Sequence, residues 1–107
     1  MELRQYQDEA EKTLNANADL VYLSGKLMSE ANEIFQPALK NKYHDKPLDT
    51  NNIKEELGDC LWYIAATCSY FGWELETIAA ENILKLRERH GEKYNPAHYV
   101  AQSLWGA

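Results

Sequence analysis

The stretch Ile53-Lys54-Glu55-Glu56-Leu57-Gly58-Asp59-Cys60-Leu61-Trp62-Tyr63-Ile64 decides how this chain is read. Its apolar residues recur at Ile53, Leu57, Cys60 or Leu61, and Ile64, the spacing of one face of an α-helix. Asn51 or Asn52 stands where a helix cap is expected, and Glu55, three residues beyond Asn52, completes a capping box. Within this largely apolar helix sit Glu56 and Asp59, three apart and therefore on one face.

Working outward, a second pair lies upstream in Leu27-Met28-Ser29-Glu30-Ala31-Asn32-Glu33-Ile34. Glu30 falls on the stripe Leu20, Leu23, Leu27, Glu30, Ile34, at a position where a core residue is expected. A carboxylate on a buried stripe is costly unless it is paired or binds a cation. One such pair alone is ordinarily a solvated surface feature. Two pairs on helices that pack together point to one metal site formed by Glu30, Glu33, Glu56 and Asp59. Two unit charges about 4 Å apart repel by about 4 kcal/mol at an effective dielectric of 20, so four carboxylates cannot all stay ionised without counterions or protons. A divalent cation resolves the conflict, and all-oxygen ligation favours Mg²⁺, with Mn²⁺ as a substitute. A di-iron bundle would need Glu-x-x-His on two helices, and His44, His90 and His98 do not follow a glutamate at that spacing.

The remaining elements follow from the same periodicity. Residues 2–14 read as a polar helix with a thin stripe of Leu3, Tyr6, Ala10 and Leu14, suited to the surface or to a partner subunit. A helix over 18–39 starts at Asn17 or Asp19 and is kinked or ended by Pro37. Residues 41–50 read as a loop that could close over the site. The central helix spans 52–71 and stops at Gly72. A further helix over 74–90 turns Leu75, Ile78, Ala79, Ile83 and Leu86 inward, and Asn95-Pro96 starts a short one that runs to about Leu104. No run alternates as a strand would. The chain therefore reads as one all-α domain over residues 1–107, with a four-helix-bundle-like core completed by oligomerisation.

Composition narrows the function classes. The 107 residues carry a net charge of −6, which argues against a basic nucleic-acid interface. No apolar run reaches membrane-spanning length, and the first residues lack a signal-peptide pattern, so a cytoplasmic protein is expected. Cys60 and Cys68 read as reduced core thiols. Trp62, Tyr70 and Trp73 read as core or subunit-interface aromatics, whereas Tyr22 stays ambiguous. Tyr63, four residues beyond Asp59, stands beside the acids and could meet a sugar or base. Asn82, Lys85 and Arg89 share a face of the later helix and suit phosphate oxygens, although Arg87, Glu88 and Arg89 also fit an ordinary solvated helix end. No glycine-rich phosphate loop, Ser-His-Asp arrangement or cysteine zinc motif occurs.

Three segments together resemble the all-α nucleotide pyrophosphohydrolases, the MazG-like family in particular. They are the Glu30-x-x-Glu33 helix, the block Glu55-Glu56-Leu57-Gly58-Asp59, and Asn82-x-x-Lys85 running to Arg89, in matching order across about Val21 to Arg89. The resemblance implies Mg²⁺-dependent hydrolysis of a nucleoside triphosphate between its α and β phosphates, and assembly as a homodimer or homotetramer. Carried over by position, Glu30, Glu33, Glu56 and Asp59 would hold metal, and Asn82 and Lys85 would approach the phosphates. Glu55 would orient water or a second ion. Asn32 stands where many relatives have Gly. Two other readings stay open: a non-catalytic helical module that senses nucleotides or oligomerises, and a pyrophosphohydrolase for a phosphoribosyl-nucleotide metabolite.

Overall fold

The computed structural model describes residues 1–91, as four helices with no strand among them. They are α1 (Leu3–Glu11), α2 (Leu20–His44), α3 (Thr50–Phe71) and α4 (Leu75–His90). The all-α expectation holds. The chain divides into two compact units, Met1–Leu75 and Glu76–Ala107. The short helix expected after Asn95-Pro96 lies outside the described residues.

In the first unit, α2 and α3 form a hairpin and α1 packs on α3. The side chain of Asp19 caps α2 by accepting from the Tyr22 amide at 2.8 Å, which decides between the two candidate caps. Pro37 neither ends nor shortens α2, which continues to His44. Proline removes one intrahelical bond, here to the Glu33 carbonyl, and packing along α3 carries the helix past it. The expected 41–50 loop thus shrinks to Asp45–Asp49. Asp45 takes the left-handed conformation (φ 52°) that closes α2. Asp49, rather than Asn51 or Asn52, caps α3, accepting from the Asn52 amide at 3.2 Å. The Asn52–Glu55 capping box is accordingly not formed. Gly72 ends α3 at φ 74°, a conformation that glycine adopts without a Cβ penalty.

α1 is shorter than expected and better anchored. Ala10, Ala65, Cys68 and Leu75 form a buried cluster with Tyr6 and Trp62 against it, and the small side chains of Ala65 and Ala66 let helices approach closely. Gln7, a polar residue on the same face as Leu3, Ala10 and Leu14, is also buried. Its amide nitrogen donates to Ser69 Oγ at 3.1 Å and to the Trp73 carbonyl at 2.9 Å, and its oxygen accepts from the Leu75 amide at 2.8 Å. One side chain from α1 therefore satisfies backbone groups on both sides of the turn between α3 and α4.

The stripes expected to be core are only partly covered. Leu23 is fully buried, but Leu57 on α3 is 56% exposed, and Leu61 and Ile64 are also open. On α4, Leu75 is buried and Ala79 half-buried, whereas Ile78, Ile83 and Leu86 are exposed. Trp73 and Tyr70 are also exposed, so neither belongs to the core of a single chain; Trp73 stacks on Phe71 with centroids 4.4 Å apart.

Candidate metal centre

The antiparallel hairpin sets two helical stripes against each other. On α2 the stripe carries Glu30, Glu33, Pro37 and Lys40; on α3 it carries Asn52, Glu56, Asp59 and Tyr63. Across this seam Glu30, Glu56 and Asp59 converge, each offering a carboxylate oxygen within 4.8 Å of the others. Glu30 and Glu56 are half-buried and Asp59 is exposed, so the cluster opens to solvent on one side. Glu33 is exposed and stands outside this closest trio, near enough for its charge to act on Glu56.

The electrostatic strain falls on Glu56. A side-chain hydrogen bond with Glu30, then burial, then the charges of Glu30, Asp59 and Glu33 push its carboxyl up from 4.5 to about 7. Glu56 Oε2 is buried and has no hydrogen-bond partner among the described residues. A buried carboxylate oxygen without a donor is rare and costly. The trio of oxygen donors with this orphaned oxygen fits a small, hard divalent cation such as Mg²⁺ or Mn²⁺.

The negative field reaches the neighbouring groups. Burial, and then the charges of Glu30, Glu56 and Asp59, push the Cys60 thiol up. Burial alone does so for Cys68, and both cysteines are free thiols. Raised thiols stay protonated and make poor nucleophiles. Burial also raises Tyr63, followed by a hydrogen bond with Tyr22 and the charges of Tyr22, Glu30 and Asp59. Tyr6 on α1 is raised by burial and by Asp59.

Beside the acids lies an open cleft of about 350 Å³ lined by Glu30, Asp59, Trp62 and Tyr63. Trp62 meets Tyr63 edge to face, with centroids 4.9 Å apart, so the cleft offers aromatic surface next to carboxylate oxygens. Trp62, read from the sequence as a core or subunit-interface aromatic, lines this cleft, and Tyr22, left ambiguous, acts on Tyr63. Trp62 follows the motif in a core-like position, and Tyr22 lies outside every motif. Asn82 and Lys85 line a groove on α4 with Ile78 and Glu81, and Arg89 lies further along the same helix. Glu55 is exposed on α3. No helix among the described residues is long and apolar enough to cross a membrane.

The curated proteins and the solved structures provide no match to this chain. The MazG nucleotide pyrophosphohydrolase domain matches residues 22–93, from the first turn of α2 to just past α4. That span covers most of the sequence and contains all four acids and the Asn82, Lys85 and Arg89 face. The chain therefore belongs to the MazG nucleotide pyrophosphohydrolase family.

Proposed function

We propose that this protein is a Mg²⁺-dependent nucleoside triphosphate pyrophosphohydrolase, releasing a nucleoside monophosphate and pyrophosphate. The observation that carries this reading is the trio Glu30, Glu56 and Asp59, converging at the helix seam with a buried, unpartnered oxygen on Glu56. Glu30, Glu56 and Asp59 would hold the ion, with Glu33 completing the acidic set. When bound, Mg²⁺ neutralises phosphate charge and makes a water acidic enough to attack at neutral pH.

The chain's own groups supply positioning and proton transfer. Trp62 and Tyr63 present a face on which a base or sugar packs, which sets the α-phosphate beside the carboxylates. The water oxygen bonds to the α-phosphorus, the bond from that phosphorus to the α–β bridging oxygen breaks, and the bridging oxygen leaves on pyrophosphate. Glu33 or Glu55, both exposed, takes the proton from the attacking water. Lys85, Asn82 and Arg89 on α4 are candidate phosphate donors by the family resemblance. The substrate pool is cytoplasmic, and the purpose is removal of non-standard or surplus nucleotides.

The open apolar stripes on α3 and α4 fit a bundle completed by a second copy of the chain, as a homodimer or homotetramer. The defining experiment is a pyrophosphate-release screen over ribo- and deoxyribonucleoside triphosphates, with and without Mg²⁺. Release from at least one triphosphate only when Mg²⁺ is present is expected. Nucleotide binding without any release would convert the reading to that of a sensing module.

A further inference from the structure

At the loop end of the α2/α3 seam lies a second open cleft, of about 410 Å³, lined by Pro37, Lys40, Lys46, Pro47, Asp49 and Asn52. We infer that Lys40 and Lys46 in this cleft bind the terminal phosphates of the substrate, so that a nucleoside triphosphate lies along the seam in one direction. The inference rests on the hydrolase reading and adds a residue pair and a polarity to it.

The two stripes that build the acidic cluster also build this cleft. Pro37 and Lys40 continue the Glu30–Glu33 stripe on α2, and Asn52 precedes Glu56 on the α3 stripe. Lys40 is seven residues beyond Glu33, about 10 Å along the axis at 1.5 Å per residue. Helical side chains lean toward their own N-terminus. Lys40 therefore leans toward Glu33, and Glu56 leans toward Asn52, which narrows the gap between cation and carboxylate from both sides.

Lys46 is held in place by its backbone. The left-handed turn at Asp45 brings the Lys46 amide to the Lys40 carbonyl at 3.2 Å, and the Lys46 carbonyl accepts from Asn41 Nδ2 at 2.8 Å. Neither lysine forms a salt bridge among the described residues. The one acid in the cleft, Asp49, is occupied in capping α3 through the Asn52 amide. Two exposed lysines thus line one cleft on the seam that carries the acidic cluster, in a chain whose net charge is −6.

The seam consequently has an order. Aromatic surface at Trp62 and Tyr63 lies at one end, carboxylates in the middle, and the lysine pair at the other. A triphosphate with its base on the aromatics and its α-phosphate at the carboxylates directs its β and γ phosphates at Lys40 and Lys46. The group held by the lysines is then the leaving pyrophosphate. A monophosphate is too short to reach them.

The test is calorimetric titration of inorganic pyrophosphate, and separately of a nucleoside monophosphate, into Mg²⁺-loaded wild type and the Lys40→Gln/Lys46→Gln double variant. Loss of charge-assisted bonds should weaken pyrophosphate binding about ten-fold or more and leave the monophosphate unchanged. The Lys40→Arg/Lys46→Arg variant should keep pyrophosphate binding, which separates loss of charge from damage to the loop. Unchanged pyrophosphate affinity in the glutamine variant, equal weakening of both ligands, or no pyrophosphate binding to wild type overturns the inference. Pyrophosphate release by wild type tests the hydrolase activity independently of the lysines. Turnover with lysine-independent binding removes only the lysine cleft. Lysine-dependent binding without turnover on any triphosphate removes only the hydrolase.

Discussion

Glu30 on α2 and Glu56 on α3 meet across the helix seam, their nearest carboxylate oxygens within 4.8 Å of each other and of Asp59, and Glu30 is the largest cause of the raised Glu56 carboxyl. A carboxyl raised to about 7 takes up a proton more readily near neutral pH than an ordinary one, and a cation at this seam would use the same oxygens. Proton and metal compete for the same oxygens.

The competition fixes a pH dependence. Because the folded Glu56 carboxyl is raised from 4.5 to about 7, the stability contributed by its neutral form is fully present below about 4.5 and lost as pH rises through about 7. Melting of chelator-treated wild type and Glu56→Gln across that window should show a steeper loss for wild type. Equal slopes would contradict the raised Glu56. Added Mg²⁺ should displace the proton and raise the wild-type midpoint most at the alkaline end.

Glu56→Gln should lower Mg²⁺-dependent pyrophosphate release by ~100-fold or more while keeping the helical circular dichroism of wild type. Near-normal turnover in that variant would remove Glu56 from the site.

Gln7→Ala leaves the Trp73 carbonyl and the Leu75 amide without their side-chain partner. Losing these bonds inside the protein should cost about 2–3 kcal/mol. In a chain of this size that lowers Tm by roughly 10 °C or more. A change below about 2 °C would show that water replaces Gln7 without penalty.

The exposed stripe Leu57, Leu61 and Ile64 should be covered by a second copy. Sedimentation velocity should find wild type as a dimer or larger, and Leu57→Lys should shift it toward monomer. A monomeric wild type at micromolar concentration would contradict the completed bundle.

Much of this was legible in the sequence, for reasons the residues make plain. The i, i+3 spacing of Glu30/Glu33 and Glu56/Asp59 fixes which side chains share a face, and the hairpin brings Glu30 to Glu56 and Asp59. What spacing does not fix is depth across the seam, so it could not separate Glu33 from the other three. Pro37 read as a kink or an end, with the helix carried only to 39, because local chemistry disfavours proline in a helix, whereas tertiary packing carries α2 to His44. Gln7 was missed although it stands four residues after Leu3 and three before Ala10 on the apolar face, because a polar side chain there reads as solvated until its partners on Ser69, Trp73 and Leu75 are known. Neither lysine was singled out from the sequence: Lys40 stands at helical spacing from Glu33 but in no motif, and Lys46 joins it only through the left-handed turn at Asp45.

The most direct test of the central claim is anomalous diffraction from crystals soaked in Mn²⁺. The account predicts a peak between α2 and α3, bonded to carboxylate oxygens of Glu30, Glu56 and Asp59. A clear map with no peak among those three side chains would contradict it.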